Sequence, residues 1–292
     1  MNRILFGDNQ FFGVNHVSDE KARQQSMLFR DDISILNTID HAVSEGCNTF
    51  MCTTHDRMIN IANLIRNDSE KYDDFEIFPC LPYAHKYANA VTELGIMGAI
   101  RQYVPGNFIS SLFKGGYALV SKDHVKMMEL MIDAELKMFK GLSTPVIFLQ
   151  NVVTDLLLGL GMKELFMAFD NHIRKKYGSE PAYITMNMPK LVDVLASQGI
   201  HHPIVCSSIN HEGFRMSGGI ELYEKTLKSG RVRAIAMQIF SGGTSSPAQA
   251  LEYVCSLPNV ESILFGASSR NNIRETVSLI HHYDKLFNSK SA

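Results

Sequence analysis

Eight short apolar runs punctuate the chain: RILFG (3–7), TFMCT (49–53), FEIFPCL (75–81), PVIFLQ (145–150), AYITMN (182–187), PIVCSS (203–208), VRAIAMQIF (232–240) and VESILFG (260–266). Most are continuously apolar rather than alternating, the pattern of parallel strands covered on both faces. Between them lie amphipathic stretches with helical spacing, among them DDISILNTIDHAVSEG, KLVDVLASQG, GIELYEKTLKSG, PAQALEYVCSLP and NNIRETVSLIHHYDKL. Several close on glycine, a frequent helix stop. Eight strands alternating with helices predict an α/β fold, a (β/α)8 TIM barrel forming one domain over 1–292. A doubly wound open sheet is the structural rival.

One interval is out of scale. Strand three ends near Leu81 and strand four starts near Pro145, and YVPGNFISSLFKGGYALV lies between. The barrel therefore has an enlarged loop after strand three, and 83–144 contains a lid-like or interface insertion. Its apolar character makes a homodimer contact an expectation.

Bulk properties remove several function classes. The hydrophobic fraction of 45% suits an ordinary globular core, and the net charge of −2 offers no field for nucleic acid or anionic lipid. No apolar run approaches the roughly 18 residues of a membrane span. The N-terminus lacks the apolar core of a secretion signal. Five scattered cysteines, with no CxxC, argue against a disulfide framework or a cysteine-rich zinc site. A reduced cytoplasmic setting and a small-molecule partner follow as expectations.

In such a barrel the chemistry belongs at the C-terminal ends of the strands. Polar groups gather there: Asp8, Asn9 and Gln10; Thr53, Thr54, His55 and Asp56; Tyr83, His85 and Lys86; Gln150 and Asn151; Asn187; Ser207, Asn210, His211 and Glu212; Gln238, Ser241, Gly242 and Gly243; Gly266, Ser268, Ser269 and Arg270. A histidine beside a carboxylate can act as a general base, which singles out His55 with Asp56, and His211 with Glu212. Lys86, in an apolar pocket, can donate a proton or form an imine, and His85 and Tyr83 stand beside it. Each of these residues can equally be a helix cap or a surface group. Metal binding would draw on His16, His55, His85, His211, Asp8, Asp56 and Glu212, but no HxH or HExxH spacing occurs, so no metal is expected. At strand eight, LFGASSRNNIRET runs strand, glycine, hydroxyls, helix. Free N–H groups at the helix start, Ser268, Ser269, Arg270 and Arg274 predict an anion site, with SGGTSS beside it.

These residues carry a resemblance. IDHAVSEGCNTFMCT resembles the helix-one to strand-two signature of the aldo-keto reductase superfamily, and Ile4 to Gly13 its opening strand and glycine turn. YITMNMPKLVDVL is similar to the family's Ser-Asn-Phe segment, IAMQIFSGG to its strand-seven loop, and VESILFGASSRNNIRETVSLI to its cofactor-phosphate element. The resemblance implies a barrel that binds NADP or NAD. It places Asn187 on the nicotinamide amide, Gln238, Ser241 and Gly242 along the pyrophosphate, and Gly266, Ser268, Ser269, Arg270 and Arg274 at the phosphate. The usual catalytic tetrad does not carry over. Met51 stands at its aspartate, Cys80 or Leu81 at its lysine, and Gln150 or Asn151 at its histidine, while His55 and Asp56 stand near its tyrosine.

Three functions compete. The first is an NAD(P)-dependent oxidoreductase on a carbonyl or sugar, with a proton donor drawn from His55, Lys86 or Tyr83. The second is a non-redox isomerase, epimerase or lyase acting on a phosphorylated sugar held at the strand-eight site. The third is a catalytically inactive binding subunit.

Overall fold

The computed structural model describes residues 1–12, 19–83 and 123–289. Eight parallel strands close in sequence order into a barrel: β1 (Ile4–Gly7), β2 (Thr49–Thr53), β3 (Glu76–Leu81), β4 (Val146–Leu149), β5 (Glu180–Thr185), β6 (Ile204–Ser208), β7 (Arg233–Met237) and β8 (Val260–Phe265). The ring closes where Ile4, Leu5 and Phe6 pair with Ile263, Leu264 and Phe265. The described helices are α1 (Asp19–Leu28), α2 (Asp32–Ser44), α3 (Met58–Asn67), α4 (Asp123–Leu136), α5 (Asn151–Leu160), α6 (Glu164–His172), α7 (Met188–Ser197), α8 (Ile220–Lys228), α9 (Pro247–Ser256) and α10 (Arg270–Asn288). The expected TIM barrel is the fold, and each apolar run contains or overlaps one strand. The rival open sheet is excluded by the β1–β8 pairing.

Continuous apolar runs make sense because every strand has two buried faces. Leu5, Met51, Phe78, Phe148, Cys206 and Ile235 fill the barrel interior. Phe6, Phe50, Ile77 and Tyr183 point outward into the layer beneath the helices. Burying one such side chain contributes about 1.5–3 kcal/mol. The helices end as their sequences predict: Gly199 and Gly230 follow α7 and α8 with φ of 80° and 67°, a left-handed turn that glycine adopts without strain.

The N-terminal mouth of the barrel is closed by paired polar groups. The Arg3 guanidinium donates to Asp284 at 2.7–3.1 Å and to the Val260 carbonyl at 2.5 Å. Arg233 joins Glu180 and Glu261 at 2.8 and 2.9 Å. The Asn2 amide donates to Thr49 Oγ1 at 2.8 Å, and the Ser262 hydroxyl to the Asn2 carbonyl at 2.6 Å.

Residues 84–122, most of the expected insertion, lie outside the described residues, and so do His85 and Lys86. The described remainder carries α4, which is tied to α6 through a bond of 2.8 Å between Asp133 and His172. No described helix is long and apolar enough to cross a membrane.

Candidate active site

A cavity of about 520 Å³ opens at the C-terminal mouth. Met51, Cys80, Ile184, Met237 and Leu264 form its apolar floor. Asp8, Gln10, Gln25, Thr53, Tyr83, Gln150, Asn151, Arg215 and Gln238 supply its polar walls.

The first wall is built by the turn that leaves β1. Residues Asn9–Phe12 form one 3₁₀ turn, started by the Phe11 N–H donating to the Asp8 carbonyl at 2.9 Å. Phe11 then buries against Phe29, edge to face at 4.8 Å, and holds the turn down. This leaves Asp8 nearly fully buried, at 5% exposure. Its Oδ2 accepts the Thr53 N–H and the Thr53 hydroxyl, each at 2.7 Å. Burial nevertheless outweighs those bonds and raises the Asp8 carboxyl above its ordinary range. Gln10 is pinned beside it, its Nε2 donating to the Gly7 carbonyl at 2.7 Å.

The second wall follows β3. After the cis Leu81–Pro82 bond, the Tyr83 N–H donates to the carboxylate of Glu135 on α4 at 3.1–3.3 Å. The same buried carboxylate accepts the Thr54 hydroxyl, so one residue fixes the exits of β2 and β3 together. The Tyr83 phenol is held protonated, chiefly by burial and further by the charges of Asp8 and Asp56. Burial also pushes the Cys80 thiol far up, so the cavity floor offers no thiolate nucleophile near neutral pH.

The third wall comes from β6 to β8. Asn210 is fully buried and gathers this loop: its Nδ2 donates to Phe214 and Gln238 carbonyls at 3.0 and 3.4 Å, and its Oδ1 accepts the Phe214 N–H at 2.8 Å. That places Phe214 and Arg215 at the cavity, the guanidinium 5.4 Å above the Phe214 ring. The Ser208 hydroxyl donates to Gln238 Oε1 at 2.5 Å. Gln238, Ser241 and Arg215 all have left-handed backbones, with φ of 53°, 50° and 54°. Such conformations cost about 1–3 kcal/mol each and gather at functional sites.

Of the residues singled out from the sequence, Tyr83, Gln238, Gly242 and Gly266 line the cavity. His55 and Asp56 do not. His55 stacks on Phe12 at 4.1 Å, and its Nδ1 accepts the Arg57 N–H at 3.1 Å, because the chain turns away at Thr54. Asp56 is exposed in that turn. His211 stands 4.0 Å from Glu212, outside the lining. Asn187 caps α7 by accepting the Lys190 N–H at 3.4 Å. Ser241 is buried behind the lining, bonded to Ser245 at 3.1 Å. Ser269 caps α10, Ser268 is absent from the lining, and Arg270 and Arg274 both turn onto Glu45 at 3.9 and 3.0 Å. Among the described residues no three His, Cys, Asp or Glu groups come together to hold a metal ion.

The sequence inventory of strand ends held Asp8, Gln10, Thr53, Gln150 and Asn151 without ranking them for chemistry. Strand alternation is the signal that finds two of them, Thr53 and Gln150, and it does not reach Asp8, Gln10 or Asn151. The inward positions Leu5, Met51, Phe148, Ile184, Ile235 and Leu264 project, two residues on, to Gly7, Thr53, Gln150, Met186, Met237 and Gly266, and all of these line the cavity. Arg215 and Gln25 follow no strand and have no such signal.

No family model matches the chain, and no curated protein matches it. Solved structures do. One from Pseudomonas aeruginosa, described as an aldo-keto reductase, superposes with a TM-score of 0.60 over 97% of this chain and 90% of that one, at 10% identity. A thermostable aldo-keto reductase solved with the inhibitor epalrestat gives 0.58 over 99% and 95%, also at 10% identity. A structure described as a 2,5-diketo-D-gluconic acid reductase B gives 0.54 over 98% and 86%, at 9% identity. At this identity the likeness is one of fold: the chain is built on the barrel that these reductases use.

Proposed function

We propose that the protein is an NAD(P)-dependent oxidoreductase that reduces a carbonyl group on a small, sugar-like substrate. The supporting observation is Asp8: a carboxyl raised by burial, lining the cavity at the functional mouth of a reductase-like barrel. An acid whose pKa moves toward the working pH is the form that general catalysis needs. Asp8 hands a proton to the carbonyl oxygen as the carbonyl carbon is reduced. Tyr83, protonated throughout the neutral range, hydrogen-bonds the same oxygen and orients it. The acid thus comes from β1, in place of the aspartate that the family pattern would put at Met51.

A nicotinamide cofactor, when bound, supplies the hydride and leaves oxidised. The residues that fit it are Gln238, Gly242, Gly243 and Gly266 on the rim after β7 and β8. At Gly243 even an added Cβ would meet nothing within 4 Å, so the rim has open room there. Ser269, Arg270 and Arg274 are engaged elsewhere, which moves the expected phosphate contacts away from that set, and Asn187, expected at the nicotinamide amide, caps α7. The same observation weighs against the isomerase or lyase reading, since it needs those arginines for substrate phosphate.

The test is a titration with NADPH and with NADH, read by melting temperature, followed by aldehyde reduction read by loss of reduced-nicotinamide absorbance. Binding to the native state raises the midpoint by mass action. No shift with either cofactor at saturation sinks the proposal.

A further inference from the structure

Two carboxamide oxygens at the cavity have no donor. Gln10 is 4% exposed, and its Oε1 is buried and without a hydrogen-bond partner. Its orientation is determined by the other end of the amide, because Nε2 is committed to the Gly7 carbonyl. A flip would set oxygen against oxygen. Gln25, on α1, lines the same cavity, and its Oε1 is likewise buried and unpartnered. A buried acceptor left unmade costs about 1–3 kcal/mol, so two in one wall call for donors that arrive with a ligand.

The chemistry of the donors is limited by the surroundings. A carbonyl oxygen accepts and cannot hold an anion. An ammonium group would need a buried counter-charge, and Asp8, the carboxyl among the described residues that line the cavity, is driven toward its neutral form by burial. Neutral O–H and N–H donors remain, and of these hydroxyls are the ones that a sugar-like ligand or a ribose carries in adjacent pairs. The packing at Gly266 keeps the acceptor in place: a Cβ there would lie 2.3 Å from Gln10 Oε1. We infer that Gln10 and Gln25 form a hydroxyl-recognition subsite, which takes a pair of neutral O–H donors and thereby selects polyhydroxylated ligands. This rests on the oxidoreductase reading for one of two sources of the diol, a sugar-like substrate or the ribose of the cofactor.

The experiment uses the full chain and the variants Gln10→Met and Gln25→Met, each similar in length to glutamine and with only a weak thioether acceptor in place of the carbonyl oxygen. The substrate arm is the ratio of kcat/KM for glyceraldehyde to that for propanal, which differ only in two hydroxyls. The wild type should favour glyceraldehyde by about tenfold or more per bonded hydroxyl, and each variant should lose about tenfold of that ratio. The cofactor arm is the NADPH dissociation constant by calorimetry. A tenfold loss there with the aldehyde ratio unchanged also supports the subsite and assigns it to the ribose. A third arm needs no turnover: calorimetric titration of sorbitol, which should bind the wild type and weaken in both variants. If no nicotinamide binds but the sorbitol result holds, the oxidoreductase reading falls and the subsite stands. If ratio, cofactor affinity and sorbitol binding are all unchanged in both variants, the oxygens are satisfied by bound water and the inference is overturned.

Discussion

The two mouths of the barrel are made from the same eight strands, and they treat polar groups in opposite ways. At the N-terminal mouth Arg3, Asp284, Arg233, Glu180, Glu261, Asn2 and Ser262 are matched donor to acceptor. At the C-terminal mouth a carboxyl is buried against its preference and two amide oxygens lack donors; Arg215, Gln238 and Ser241 hold left-handed backbones there, while the left-handed residues at the N-terminal mouth, among those described, are His202 and Asn259, types that adopt that region more readily. One end is arranged for stability. The other holds unfavourable local states that a ligand or a reaction can relieve.

The largest expected effect breaks the comparison at the active end. Asp8→Asn keeps an acceptor for Thr53 and removes the exchangeable proton. It should lower kcat by about 10²–10⁴-fold, while the melting temperature at neutral pH holds or rises. A loss of stability without loss of turnover would move Asp8 to the structural side. Gly266→Ala comes next. Its backbone tolerates a side chain, since φ is not left-handed, but the added Cβ collides with Gln10 Oε1. Glyceraldehyde reduction should fall about tenfold, for a stability cost of about 1 kcal/mol. Steady-state kinetics beside a urea melt separates the two.

The opposite mouth should answer in reverse. Arg3→Met removes the bonds to Asp284 and the Val260 carbonyl while keeping an apolar stem. Those bonds are part-buried, and the loss should cost about 1–2 kcal/mol in denaturant unfolding with kinetics unaltered. A change in kcat would tie the two mouths together.

The barrel was legible because it rests on a periodic signal: continuous apolar runs at each strand, glycine stops such as Gly199 and Gly230, and a count of eight. The location of the site was legible for the same reason, since all strands point one way. Which residue faces the cavity was legible only as far as strand alternation lasts. It reaches Thr53 and Gly266. It fails at His55, because the strand ends at Thr53 and Glu135, more than eighty residues on, draws Thr54 outward. Arg270 and Arg274 pair with Glu45, a partner 229 residues from Arg274 that no local pattern reveals.

Acidity tests Asp8 by a route independent of turnover. Its folded-state pKa is raised above the ordinary value of 3.8, so the native chain binds the proton more tightly than the unfolded one. The stability it contributes is full below that ordinary value and is lost as pH rises through the raised folded-state value. The unfolding free energy of Asp8→Asn, measured against wild type across that window, should therefore gain on the wild type as pH rises. A gap that shrinks with rising pH would mean that Thr53's two bonds outweigh burial and hold the carboxylate ionised.

The smallest expected effect sharpens the boundary of the active end. Arg270 and Arg274 begin α10, on the same side of the barrel as the cavity, yet both guanidinium groups turn onto Glu45. More than half of each side chain is exposed, so the pairs contribute little to stability, about 0–1 kcal/mol. Glu45 also supplies the charge that a cofactor phosphate would otherwise supply. A phosphate arriving at Arg274 would have to displace Glu45, and the gain in one pair is offset by the loss of the other. Arg274→Ala should accordingly change the NADPH dissociation constant by less than about threefold. Glu45→Gln is the informative companion, because it releases both arginines: if they can reach a phosphate at all, this variant should bind NADPH more tightly than NADH by a wider margin than the wild type. A large loss from Arg274→Ala alone would show that the ion pair opens on binding, and would extend the active end of the barrel to the first turns of α10.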